Sequence, residues 1–286
     1  MQISRRMAVF YLIIAATLWS TGGLFIKWIS WQPMAISGMR SGIAALVLLI
    51  YWFVRYKKRI PRPNKTVIFG AINYMILVTL FVTANKLTTS ANAILLQFTA
   101  PVWLLLIGRV FYKDAIARID ILTVIAVFAG MGLFFMGDLD AGGLIGNFLA
   151  IISGITMAIM ILNLNKLKVH RPVEIILWGN IMTFIVGIPF YSGIDWYPEA
   201  FAGIAFLGIF QLGLAYVFYT SGIQSVTAIE GILIPVIEPL LNPVWVFFGT
   251  GEQPSVYGLV GGIIVLTAII VRNYVLTKRK VQKAST

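Results

Sequence analysis

The chain has 286 residues, 59% of them hydrophobic and only 11% charged, with a mean hydropathy of +0.92 and a formal net charge of +12. A soluble domain is about 45–50% apolar and about 25% charged, so a soluble fold is excluded. No cysteine is present and the single histidine, His170, stands in a basic loop. Disulfides, iron–sulfur clusters, zinc centres and Ser/His/Asp triads therefore lack their parts, and no metal, cofactor or enzymatic activity is expected.

Apolar runs follow one another along the whole chain. About 20 mostly apolar residues cross a hydrocarbon core of about 30 Å. The expected spans are 8–27, 33–54, 66–84, 91–111, 119–137, 142–164, 173–192, 200–221, 227–249 and 255–276, which makes an all-α membrane protein of ten transmembrane helices. Trp-Gln-Pro at 31–33, Pro-Arg-Pro at 61–63, the Asp/Gly run at 138–143 and Gly-Thr-Gly-Glu-Gln-Pro at 249–254 punctuate them. The first run is too long for a signal-peptide core and lacks an Ala-x-Ala cleavage site, so it is expected to stay as the first helix.

Charge orients this array. With the N-terminus inside, inner segments hold nineteen of the 22 Lys and Arg residues, outer segments hold Lys27 and Lys86, and Arg40 lies within a helix. The outer loops instead carry Asp138, Asp140, Asp195, Glu199 and Glu252. This bias puts both termini in the cytoplasm, and a bacterial-type inner membrane is the expected location. It also accounts for the net charge through the anionic inner leaflet rather than nucleic acid.

Sliding the chain by 138 positions aligns its two halves. Leu95-Leu96-Gln97-Phe98-Thr99-Ala100-Pro101 then falls on Leu233-Ile234-Pro235-Val236-Ile237-Glu238-Pro239, and Asp114 falls on Glu252. Two five-helix units, 1–139 and 140–286, are expected. Five is odd, so the second unit enters the membrane from the opposite side. Inverted repeats can open a central site to each side in turn, which points to transport.

Several short patterns together resemble the drug/metabolite transporter superfamily, in its ten-helix branch of two EamA repeats. They are Leu18-Trp19, Arg40 in Met-Arg-Ser-Gly, Thr89-Ser90-Ala91 before the helix with Pro101, Gly213-Leu214-Ala215-Tyr216, Ile237-Glu238-Pro239, Gly251-Glu252, and the Gly-rich helix from Gly258 to Ala268. The resemblance spans nearly the whole chain. It implies a five-plus-five inverted fold with a central cavity and secondary transport of amino acids, metabolites or drugs, often as export. Ala100 departs from the acid often found in the first repeat, and Asp114 stands where glutamate is usual.

Among individual residues, Glu238 lies about 16 Å into its helix at 1.5 Å per residue, near the membrane midplane. Such an acid marks a substrate or ion path, or is a structural acid held by a partner such as Arg40. It can exchange protons or hold a substrate amine. Pro235, Pro239 and Pro243 around it, and Pro101 in the fourth helix, remove backbone donors and are candidate hinges. Arg40, about 10 Å from the outer end of its helix, can bind a substrate carboxylate, pair with Glu238 or act structurally. Glu230 is either a gate or relay residue or a solvated interfacial acid. Asn73, Asn85, Asn92, Gln97, Asn163, Asn180, Gln211 and Asn242 should mostly point inward, and Gln97, Gln211 and Asn242 are the selected site candidates. Trp19, Trp178 and Tyr219, with Trp103 and Tyr216, can wall a pocket for an apolar side chain or a cationic amine, or simply pack. Trp31, Trp52, Trp196 and Tyr197 are expected as interfacial anchors.

The resulting expectation is a secondary transporter of a small polar metabolite, an amino acid or related compound. It would export by alternating access, with protons as the expected coupling ion. The alternatives are uptake of an organic cation or vitamin-like solute by the same fold, a channel, or an intramembrane enzyme. No phosphate-binding loop is present, so ATP drive is not expected. Expected partners are the solute, protons and anionic lipid, with the protein a monomer or homodimer and no nucleic acid bound.

Overall fold

Every regular element in the computed structural model is helical. Among the residues it describes, 4–57, 62–113, 117–137, 141–166, 172–226 and 234–284, there is no strand. In chain order the rods are α1 (Arg5–Trp28), α2 (Pro33–Tyr56), α3 (Lys65–Leu87), α4 (Ser90–Gln97, continuing as Ala100–Tyr112), α5 (Arg118–Gly137), α6 (Ala141–Lys166), α7 (Pro172–Gly187), α8 (Pro198–Gly222), α9 (Ile237–Thr250) and α10 (Val256–Ala284). Local chemistry sets their ends. Pro33, Pro172 and Pro198 open helices where a missing N–H is harmless. The Asn64 and Thr89 side chains cap α3 and α4 by accepting from Val67 N at 2.9 Å and Asn92 N at 3.2 Å.

Eight of these helices, α1–α4, α6–α8 and α10, are long and apolar enough among the described residues to cross a membrane, and α9 with its preceding turn is a shorter apolar helix. The outer surface is itself apolar, with Phe53, Phe111, Ile125, Phe248 and Ile263 projecting from it, as a lipid-facing surface requires. The chain is a multi-pass membrane protein.

Packing follows the internal repeat. α3 packs on α6 and α8 on α1; α4 on α6 and α9 on α1; α3 on α7 and α8 on α2; while α2–α7, α4–α9 and α5–α10 pack across the middle. Each pair maps onto another, or onto itself, when the helix numbers shift by five. α6 begins at the end of the bundle where α1 finishes, because Asn147 of α6 and Lys27 of α1 both bond Thr88 at the end of α3.

The fourth and ninth helices are irregular at equivalent places. In α4 the ladder is interrupted at Phe98–Thr99 and restarts with Pro101 in the first turn. The carbonyls of Leu96 and Gln97 lie against Gly154 of α6, where an added Cβ would come within 2.9 Å of the Gln97 oxygen. In the second half a 3-10 turn, Ile234–Val236, precedes the regular start of α9 at Ile237; Phe98 plus 138 is Val236. This differs from the expected single helix with three interior prolines. Pro235 sits in the 3-10 turn, and Pro239 falls in the first α-turn, where amides have no intrahelical acceptor. Pro243 is the interior proline, leaving the Pro239 carbonyl without its donor four residues on. Residues 227–233 of that expected span, with Glu230, lie outside the described residues.

Candidate functional site

The rods bring polar side chains together in three layers. At the end where α1, α3 and α9 finish, Lys27 Nζ meets Glu252 Oε2 at 2.8 Å and also donates to the Thr88 carbonyl at 2.8 Å. The other Glu252 oxygen accepts from the backbone N of Ser90 at 2.7 Å. Trp28 Nε1 donates to the Gly249 carbonyl at 3.1 Å, and Lys86 Nζ donates to the Ile29 carbonyl. Gly251 makes this possible. It ends α9 at φ 75°, a left-handed cap that glycine adopts without strain, and so turns Glu252 back over the bundle. The group ties α1, the α3–α4 corner and α9 into a closed polar latch.

Below the latch, Asn242 of α9 is fully buried against Gly23 of α1, with Ser90 alongside. Neither its Oδ1 nor its Nδ2 has a hydrogen-bond partner among the described residues. Ser90 Oγ is instead spent on Asn85 Oδ1 at 2.8 Å. Trp245, one turn on from Asn242, donates to Ser20 Oγ at 2.9 Å.

The third layer is aromatic. The Trp19 ring lies 5.1 Å from both Tyr216 and Tyr219, tilted at 64° and 52°, and Tyr216 lies 5.6 Å from Tyr74. Asn180 donates to the Tyr74 hydroxyl at 3.2 Å. Glu238 acts electrostatically on Tyr216, as does Arg40 from its own position. Trp19, Tyr216, Tyr219 and Glu238 lie deep in the bundle yet keep part of their surface accessible. Surface that stays accessible at depth lines an internal recess.

Arg40 and Glu238 are not paired. Arg40 is buried, its Nη1 donating to Gln211 Oε1 at 3.2 Å and its Nη2 to the Val78 carbonyl at 3.3 Å. Gln211 in turn packs on Gly22, and it sits in a π-helical stretch, Leu207–Leu214, a distortion often found at functional sites. Glu238 has no hydrogen bond or ion pair among the described residues.

The structure thus gathers Trp19, Tyr219 and Glu238 in one recess and places Arg40 with Gln211 beside it. Asn242 sits one layer towards the latch. Gln97 is turned away, donating to Ser153 Oγ of α6 at 2.5 Å. Trp178 is half-buried on α7 and joins none of the recess ring pairs among the described residues. Every amide expected to point inward is buried where its side chain is described, Asn163 being outside those residues. Trp31 and Trp52, expected as interfacial anchors, are buried instead; Trp31 donates to the Asp195 carbonyl at 2.8 Å and Trp52 packs against Tyr56. Sequence reasoning missed Tyr74 and the pairing of Lys27 with Glu252. No group of three or more His, Asp or Glu among the described residues could hold a metal ion.

Comparison with known proteins agrees with this arrangement. The model of the EamA-like transporter family matches twice, over residues 6–136 and 144–274. An uncharacterized transporter from Archaeoglobus fulgidus is 22% identical over 262 residues, covering 91% of this chain and 94% of its own. A solved crystal structure covers 96% of this chain and 100% of its own with a TM-score of 0.69 at 17% identity, a likeness of fold. The chain belongs to the EamA-like transporter family of the drug/metabolite transporter superfamily.

Proposed function

We propose that the protein is a secondary transporter that carries a small polar metabolite, an amino acid or related compound, by alternating access. In this reading ten spans form two inverted repeats, 1–139 and 140–286, in the inner membrane, with both termini cytoplasmic. The recess lined by Trp19, Tyr216, Tyr219 and Glu238 is the carrying site, with Gln211, Arg40 and Asn242 around it. The direction is export and protons are the coupling ion, taken up and released by Glu238.

One observation carries this reading. A polar latch closes one end of the bundle above an internal recess that holds an unpaired carboxylate. A carrier needs a closed end that can open, whereas a channel needs both ends open together. The exchanged packing partners of α1 with α6 and α3 with α8 support two halves that trade conformations. The irregular points at Phe98 and Val236 supply places where each half can bend, with Pro101 and the prolines of α9 as hinges.

Purified protein in proteoliposomes tests it. Glu238→Gln should abolish or uncouple transport while the protein keeps its fold and oligomeric state. Unchanged, pH-dependent transport by that variant would remove Glu238 from the mechanism.

A further inference from the structure

The recess between α1, α8 and α9 presents one charge and several ring faces. Trp19 meets Tyr216 and Tyr219 at steep angles, 64° and 52°, rather than stacked. Tilted contacts of this kind leave ring faces uncovered. Glu238 is half-buried beside Tyr216 and has no ion pair among the described residues. The cation nearest in kind, Arg40, is committed elsewhere, both of its terminal nitrogens donating to protein oxygens on α8 and α3. An acid buried without a partner is expensive to keep in apolar surroundings. A ligand that brings a positive charge removes that penalty, and aromatic faces add attraction for the same charge.

We infer that the transported solute is recognised through an ammonium group, held between the Glu238 carboxylate and the faces of Trp19, Tyr216 and Tyr219. A carboxylate on the solute is not required. This rests on the recess being the carrying site. It narrows the substrate class to organic amines, with amino acids bound by their amino end. Arg40 then acts as a positioning residue that holds α2, α3 and α8 around the recess rather than as the receptor for a substrate carboxylate.

The test uses matched compounds on the purified full-length protein: phenethylamine, phenylalanine and 3-phenylpropionate, and then tryptamine, tryptophan and indole-3-propionate. Isothermal titration gives affinity, and the intrinsic tryptophan fluorescence melt gives stabilisation on binding. The amines should bind and raise the melting temperature, at least as strongly as their amino acids, while the two propionates do neither. Glu238→Gln should weaken amine binding by at least about tenfold, and Trp19→Leu by about threefold or more. Glu238→Asp, which keeps the charge, should retain binding, so that loss in Glu238→Gln is separated from misfolding. Equal binding of the propionates, amine affinities indifferent to Glu238→Gln, or no amine binding at all would each overturn the assignment. Exchange of a solute without an amine would overturn it and leave the transport reading standing. Amine binding without movement across the membrane would support the ammonium site and overturn the transport reading.

Discussion

Lys27→Ala should open the latched end of the bundle, and its size can be worked from the contact. At 2.8 Å the Coulomb attraction between Lys27 and Glu252 is about 6 kcal/mol at an effective dielectric constant of about 20. The two side chains keep 20% and 22% of their surface exposed, so desolvation and screening remove much of it. A net value of about 2 kcal/mol lies between exposed pairs at about 0–1 and the 3–5 lost on breaking fully buried ones. Since about 1.4 kcal/mol is a factor of ten, the ratio of open to closed latch should rise about 30-fold. The absence of cysteine makes this measurable. Ser20→Cys places one thiol beneath the latch, where Ser20 Oγ accepts from Trp245. A membrane-impermeant maleimide applied from the latch side should label it about 30-fold faster in the Lys27→Ala background, while Lys27→Arg stays near the parent rate. An unchanged labelling rate in Lys27→Ala would refute the latch as the element that closes this end.

Three further outcomes follow from the packing. Gly23→Ala puts a Cβ within 2.7 Å of Asn242 Oδ1 and 2.8 Å of Ser90 Oγ, an overpacking that should lower stability by about 1–3 kcal/mol; an unshifted fluorescence melt would show that this contact can relax. Arg40→Met removes the donors to Gln211 and Val78 and should destabilise the protein by about 2–3 kcal/mol through the acceptors left behind, seen as a lower melting temperature than for Arg40→Lys. Asp120→Asn breaks the 2.7 Å pair with Arg272 that joins α5 to α10; a double-mutant cycle with Arg272→Gln should return a coupling of about 1–2 kcal/mol, and additive losses would show that the pair contributes nothing.

The helices were legible because a membrane leaves little choice: a run of apolar residues long enough to cross satisfies its backbone only as a helix. The 138-residue offset was legible for the same reason, and it located the matched irregularities at Phe98 and Val236. Side-chain partners were harder. Lys27 and Glu252 lie 225 positions apart, and the offset pairs Glu252 with Asp114, not with a base. Only the fold brings α1 and α9 together at that end. Gln97 had the right depth for the site but faces Ser153 of α6, because the neighbouring helix, not the sequence position, decides which way a buried amide turns. Tyr74 was hidden in α3, which is apolar on all sides, so no periodicity marked its inward face. Trp31 and Trp52 stand at helix ends, where lipid contact and burial look alike until the neighbours are known.

Counterflow tests the central claim of an alternating-access carrier most directly. Proteoliposomes preloaded with an excess of the solute that most raises the protein's melting temperature are diluted into a trace of the same solute in labelled form. A carrier whose site faces one side at a time should draw the label inward to a transient overshoot, and Glu238→Gln should abolish it. Label that equilibrates monotonically, without an overshoot and without saturating, would contradict the account and identify a pore.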